Sequence, residues 1–194
     1  MCRYLVNQIH ISLNKSLCKL RLPLKNKIIN WFVFKGVILT KDNLLKRRWK
    51  SDDHCCFCDN KKTIQHLVFD CHVASFVWRV FTMTFGLHAP KNVRELFGTW
   101  FTQIDQCFRS QICVGARAIL WSIWLCRNEV IFDKKKFYSY LQVIFKATYW
   151  ARYWSLLQKA NNKPFMKWTC QALKTMSIEV FAKHGWPSIK RICA

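Results

Sequence analysis

Acidic residues are scarce in this sequence: 10 Asp and Glu stand against 32 Lys and Arg over 194 residues, a formal charge of +22. Glycine and proline are also few, at 5 and 4, while 52% of residues are hydrophobic. That balance excludes a low-complexity or disordered chain and predicts one with a packed core. Long apolar runs are missing too. The most apolar stretch, residues 112–126, carries Arg117 in its middle and stops at Arg127. It falls short of the ~20 residues that span a bilayer, so no membrane association is expected. The first twenty residues place Asn7, Gln8, His10, Asn14 and Lys15 where an export signal needs an unbroken apolar core. The expected location is therefore nuclear or cytoplasmic, not secreted.

What is abundant is positive charge and cysteine. Twelve Lys and Arg and one acid, Asp42, lie in residues 1–50, so the front of the chain is the expected polyanion face. An excess of this size raises potentials of several kT, and RNA or single-stranded DNA is the expected partner class. Eleven cysteines is an odd number. With no secretory leader it argues for metal binding and free buried thiols in a reducing compartment, not for a disulfide framework.

Apolar periods of three and four residues dominate, which predicts a mainly α fold with at most a short hairpin near Cys55 to Cys58. A helix is expected over residues 23–35, with Pro23 at its start, Leu24, Ile28, Trp31 and Phe32 on its apolar face, and Gly36 past its end. Thr40 can cap a short helix over 41–49, whose Lys46, Arg47 and Arg48 suit the negative end of the helix dipole. An import signal and phosphate contact are the other readings of that run. Val73, Phe76, Val77, Val80, Phe81 and Phe85 mark an amphipathic helix ending at Gly86. A turn at 88–92 leads to a helical stretch over 93–106, then to a helix over 113–132 that is apolar on most faces. Tyr140, Val143, Ala147, Trp150, Trp154 and Leu157 form a packing seam within 137–158. A last helix over 168–183 places Trp168, Ala172, Met176 and Val180 on one face before Gly185 and Pro187. The ten tryptophans invite a base-stacking role, but Trp31, Trp150, Trp154 and Trp168 all fall on apolar helix faces and are assigned to the core. Two regions are expected: a metal-binding domain over 1–86 and a C-terminal helical region over 87–194.

Residues 54–72 read HCCFCDNKKTIQHLVFDCH. Within them Cys55-x2-Cys58-x7-His66-x4-Cys71 supplies three thiolates and one imidazole, the donor set of a tetrahedral structural zinc site. Cys56 is a poorer partner for Cys58 because one intervening residue spans a small ion badly. His72, at the start of the next helix, can only replace His66, not join it. Four ligands leave no open coordination position, so one structural Zn2+ is expected rather than a Lewis acid.

With these residues identified, the chain resembles the zinc-binding domain found downstream of the polymerase in plant non-LTR, LINE-like retrotransposon reverse transcriptases. The resemblance runs through Leu20-Arg-Leu-Pro-Leu-Lys-Asn-Lys-Ile28, Gly36-Val-Ile-Leu-Thr-Lys-Asp-Asn-Leu44, the Cys55 to Cys71 cluster, and Leu120-Trp-Ser-Ile-Trp-Leu-Cys-Arg-Asn128. It implies that Cys55, Cys58, His66 and Cys71 are the metal ligands and that the chain binds nucleic acid. Cys18 departs from the family's Trp, and His72 from its usual Pro. The polymerase is not in the sequence, which therefore reads as a fragment or decayed copy.

Polymerase and RNase H chemistry both require clustered carboxylates on two metal ions. The ten acids are dispersed, and Asp52-Asp53 follows Lys-Ser in a basic polar stretch. No enzymatic activity and no small-molecule substrate are expected. The sequence thus predicts a non-catalytic zinc-binding, nucleic-acid-binding fragment, with Lys25, Lys27, Lys46, Arg47, Arg48 and Lys50 as candidate phosphate contacts. The competing expectation is a zinc-stapled remnant or protein-interaction module.

Overall fold

The computed structural model describes residues 20–38, 54–58, 60 and 63–184. Helices dominate, as the apolar periods predict, and among the described residues there is no β-strand, only an isolated bridge at His54. The elements in chain order are α1 (Leu24–Phe34), a π-helical turn (His66–Asp70), α2 (His72–Phe85), α3 (Val93–Phe97), a 3-10 turn (Trp100–Gln103), α4 (Arg109–Ile131), α5 (Leu141–Ser155), a 3-10 turn (Ala160–Asn162) and α6 (Lys163–His184). The expected helix over 41–49 lies outside the described residues.

The central element is α4. Its 23 residues are apolar around most of the circumference, so neighbours cover it on several sides: α5 packs along it, and α1 and α2 also touch it. Helix α6 lies across α5 and α2. Buried side chains from before and after residue 86 join in one continuous core. Although α4 is long enough, no helix among the described residues is apolar enough to cross a membrane.

Helix α2 follows its sequence closely. Val73, Val77, Val80 and Phe81 are buried, and Gly86 closes the helix at φ 63°, a left-handed conformation that side chains disfavour. Gly36 does the same for α1 at φ 69°. The stretch over 93–106 differs from expectation, because it is two short pieces rather than one helix. Asn92 caps α3 by accepting from the Glu95 amide at 2.8 Å, while the Glu95 carboxylate accepts from the Lys91 amide at 2.8 Å. The helix then breaks at Gly98, whose φ −111° and ψ −90° are not helical.

Two helix faces are rotated from the expected ones. In α1, Leu24 is 60% exposed, and the buried positions are Asn26, Asn30 and Val33. The two asparagines sit one turn apart, and the Asn30 side-chain amide donates to the Asn26 carbonyl at 2.6 Å. Aromatic Trp31, Phe32 and Phe34 are only partly buried, at the flanks. In α6, Trp168 is 58% exposed, and the inward stripe is Met166, Cys170, Leu173, Ser177 and Val180. Small residues on that stripe let α6 approach α5 closely, so that the Cys170 thiol reaches the Thr148 carbonyl at 3.6 Å. A tryptophan in that seam would hold the helices apart. The α5 seam holds for Val143, Ala147 and Trp154, while Leu157 is 45% exposed.

Trp154 has no exposed surface. Replacing it with Ala should cost about 3–5 kcal/mol in denaturant unfolding, whereas Trp168→Ala should stay within about 0.5 kcal/mol. Equal losses would show that the α6 register is wrong.

Candidate metal centre

Three local devices bring the donor atoms together. The first is the tight turn after Cys55, whose amide donates to the Asn60 carbonyl at 2.9 Å. Within it the Phe57 amide points at the Cys55 sulfur at 3.5 Å, an interaction that favours a thiolate. The second is the π-helical turn. In an α-helix, positions five apart face directions differing by roughly 140°. Here the Cys71 amide donates to the His66 carbonyl at 2.7 Å, an i to i+5 bond that widens the turn and swings Cys71 back toward His66. The third is α2, which begins directly after Cys71 and places its sulfur at a helix N-terminus, where negative charge is favoured. Trp78 of α2 fixes the turn by donating to the Val68 carbonyl at 2.7 Å, and the Thr63 hydroxyl accepts from the His66 amide at 3.0 Å.

The donor atoms of Cys55, Cys58, His66 and Cys71 all lie within 4.8 Å of one another. Four ligands around an ion with metal–sulfur bonds of ~2.3 Å place sulfurs about 3.8 Å apart. The Cys55–Cys71 and Cys58–Cys71 sulfurs are 3.9 and 4.0 Å apart. Cys58 and the His66 Nε2 are closer, at 3.1 Å, a thiol–imidazole hydrogen bond. The set thus fits a metal ion in both geometry and chemistry. Thiolate and imidazole donors suit a borderline or soft metal and not Mg2+ or Ca2+. His72 is exposed and, like His54 and Cys56, stands outside the four-donor group.

The pocket resists three simultaneous negative charges. Hydrogen bonding from the Cys56 and Cys71 side chains holds Cys55 well below the ordinary thiol range. The hydrogen bond with Cys55, together with burial, pushes Cys71 well above it, and burial raises Cys58. A divalent cation removes that conflict, since it stabilises every thiolate at once.

The second half of the chain closes over this cluster. Phe57 packs on Phe137 at 4.7 Å between ring centres, and Phe76 on Tyr140 at 5.4 Å. Burial, then the nearby thiols of Cys71 and Cys58, raise the Tyr140 hydroxyl above its ordinary value. Arg127 of α4 is 1% exposed, with its guanidinium over the Trp124 ring at 4.7 Å and one nitrogen donating to Asn128 at 2.7 Å. Among the described residues its Nε and Nη2 have no hydrogen-bond partner. Burial lowers its proton affinity, and the thiols of Cys56 and Cys55 oppose that effect. Three thiolates on a dication would leave one net negative charge, and the interaction of buried Arg127 with Cys56 and Cys55 has the sign that offsets it. The sequence placed Tyr140 in a helix-packing seam and Arg127 in the Trp-x2-Trp-x2-Arg-Asn stretch, but linked neither of them, nor Phe137, to the Cys55 to Cys71 cluster.

The candidate phosphate contacts are only partly on view. Lys25 is exposed, with its ammonium 5.2 Å from the Trp121 ring centre, and Lys27 is half-buried on α1. Lys46, Arg47, Arg48 and Lys50 lie outside the described residues.

The fold and cluster define a Cys3His metal-binding module joined to a helical bundle. Residues 4–78 match the family model for zinc-binding in reverse transcriptase, and this segment is a reverse transcriptase zinc-binding domain. All four donors fall inside the match, which ends within α2. No curated protein and no solved structure matches the chain.

Thiols outside the cluster behave differently. Burial pushes Cys113 up to about 11, Cys126 up to about 12 and Cys170 up to about 11. At pH 8 an alkylating reagent should modify exposed Cys107 and spare these three until the chain unfolds, as read by mass spectrometry. Their raised values also set a direction for stability. It should be flat with respect to these thiols below about pH 8.5 and should fall above it, because unfolded thiols then ionise while folded ones keep their protons.

Proposed function

We propose that Cys55, Cys58, His66 and Cys71 hold one structural zinc ion, and that the chain is a non-catalytic, nucleic-acid-binding part of a plant LINE-like retrotransposon reverse transcriptase. The observation that carries this reading is the convergence of four soft donors within 4.8 Å inside a reverse transcriptase zinc-binding segment. That domain is an accessory one, not the polymerase. Zinc bound by four protein groups has no position for substrate, so its contribution is to fold the Cys55 to Cys71 segment and fix its orientation. Charge supports the partner: +22 on 194 residues favours a polyanion, and phosphate is the polyanion a reverse transcriptase meets. No disulfide joins the described cysteines, which fits a nuclear or cytoplasmic setting.

Purified protein should contain one zinc per chain by elemental analysis. Cys58→Ser and His66→Ala should each lose it, while Cys56→Ser should keep it; stoichiometric zinc in the Cys58 variant would break the assignment. RNA and single-stranded DNA should bind with weak sequence preference. Five to seven phosphate contacts on a single strand give a slope of log affinity against log salt near about −4. Reversing Lys46, Arg47 and Arg48 to Glu should weaken every oligonucleotide alike and leave zinc content unchanged. A zinc-loaded, folded protein with no affinity at low salt would instead be a structural remnant or a protein-interaction module.

A further inference from the structure

Helix α5 carries an exposed aromatic row. Phe145, Tyr149 and Tyr153 recur every four residues and are 42%, 61% and 54% exposed. Four residues advance a helix by about 6 Å, so the three rings form a ladder along one face. Their backing is rigid: Trp150 stands edge-on to both Tyr149 and Tyr153, at 5.3 and 6.0 Å, and itself packs against Trp121 and Trp154. Beside the ladder, two adjoining clefts of ≈ 380 and ≈ 330 Å³ run between α5 and α6, sharing Arg152 and Lys174 as walls. The second is also lined by Lys167 and by the exposed ring of Trp168. The Lys174 ammonium lies 5.7 Å from the Phe145 ring centre. Among the described residues, no acidic side chain lines either cleft.

A contiguous row of solvent-facing aromatics rimmed by polar side chains marks an interaction surface. A core helix of another protein would match the rings but would leave three cations without counter-charge. A duplex would match the cations but keeps its bases stacked at about 3.4 Å, with faces closed to side chains. A single strand offers both phosphates and free base faces. We propose that the α5–α6 groove is a binding site for single-stranded nucleic acid, with Tyr149, Tyr153 and Trp168 stacking on bases and Arg152, Lys167 and Lys174 on the backbone. This rests on the nucleic-acid reading above and adds to its phosphate contacts a base-contacting surface on the C-terminal helices.

The two kinds of contact leave different signatures in a titration of the zinc-loaded full chain with a fluorescein-labelled oligouridine 20-mer. Tyr149→Ala and Tyr153→Ala should each weaken binding about fivefold or more at every salt concentration without changing the salt slope. Tyr149→Phe keeps the ring and should keep the affinity. Arg152→Glu and Lys174→Glu should instead make the slope shallower, by about 0.7 for each phosphate no longer neutralised. All of these side chains are exposed or at the groove wall, and thermal unfolding of each variant checks that the fold is intact. Wild-type binding that survives both alanine substitutions overturns the groove while leaving nucleic-acid binding in place. The groove is equally overturned if those substitutions change only the sedimentation of the protein, which would make the face a protein contact. Failure of the wild type to bind at low salt removes the broader reading as well.

Discussion

Three thiol sulfurs and an imidazole held within 4.8 Å of one another are an arrangement that the polypeptide does not favour unaided. Burial and mutual repulsion push Cys71 and Cys58 toward their neutral forms once Cys55 is charged. The backbone around them has also been bent to suit: a tight turn after Cys55, and a widened turn between His66 and Cys71 where an ordinary helix would have pointed the two apart. Such distortions persist where something over-determines them. A dication bound by all four groups would do so, and it would fix the start of α2, which begins at Cys71. Helix α2 in turn packs on α4 and α6, which ties the cluster to the bundle.

The shortage of acids shapes the rest of the core. Arg117 has no exposed surface and Arg127 almost none, yet among the described residues neither is paired with a carboxylate. Their positive charge is met by aromatic faces, Arg117 over Phe97 at 4.0 Å and Arg127 over Trp124 at 4.7 Å. For Arg127 the thiols of the cluster add a further compensating charge. Burial still pulls Arg117 down to about 10, the cost of placing a cation where only a ring, the Leu96 carbonyl at 3.3 Å and a nearby thiol oppose it. Arg127 thereby links α4 to the Cys55 and Cys56 segment electrostatically, whereas the partners of Arg117 all lie within the helical region.

Elements whose apolar residues are all of similar size were legible from sequence. Helix α2 is the clearest case, where valines and phenylalanines at three- and four-residue steps, closed by Gly86, gave the buried face correctly. The four donors were legible because ligand spacing is a short-range property. Faces were misread where polarity and burial part company. Asn26 and Asn30 are buried in α1 beside an exposed Leu24, and α6 turns Cys170 and Ser177 inward and Trp168 outward. In α6 close approach to α5 selects small side chains, and that requirement belongs to the partner helix, not to the local sequence. Gly98 broke a helix whose periodicity continued past it, for the same reason that any single break is weak against a long pattern. The role of Arg127 was illegible because its partners are some seventy residues earlier in the chain.

The outward rotation of Trp168 also changes where recognition is to be sought. Net positive charge acts over a Debye length and draws a polyanion toward the molecule without specifying where bases dock. Stacking acts only at contact and requires exposed rings held still. Those two requirements meet on α5 and α6, where Tyr149 and Tyr153 stand against a buried tryptophan array and Trp168 projects from the adjoining wall. A chain carrying +22 gains from each further phosphate contact, because each neutralised cation also relieves repulsion within the fold. Binding to the folded state alone would then add to its stability by mass action.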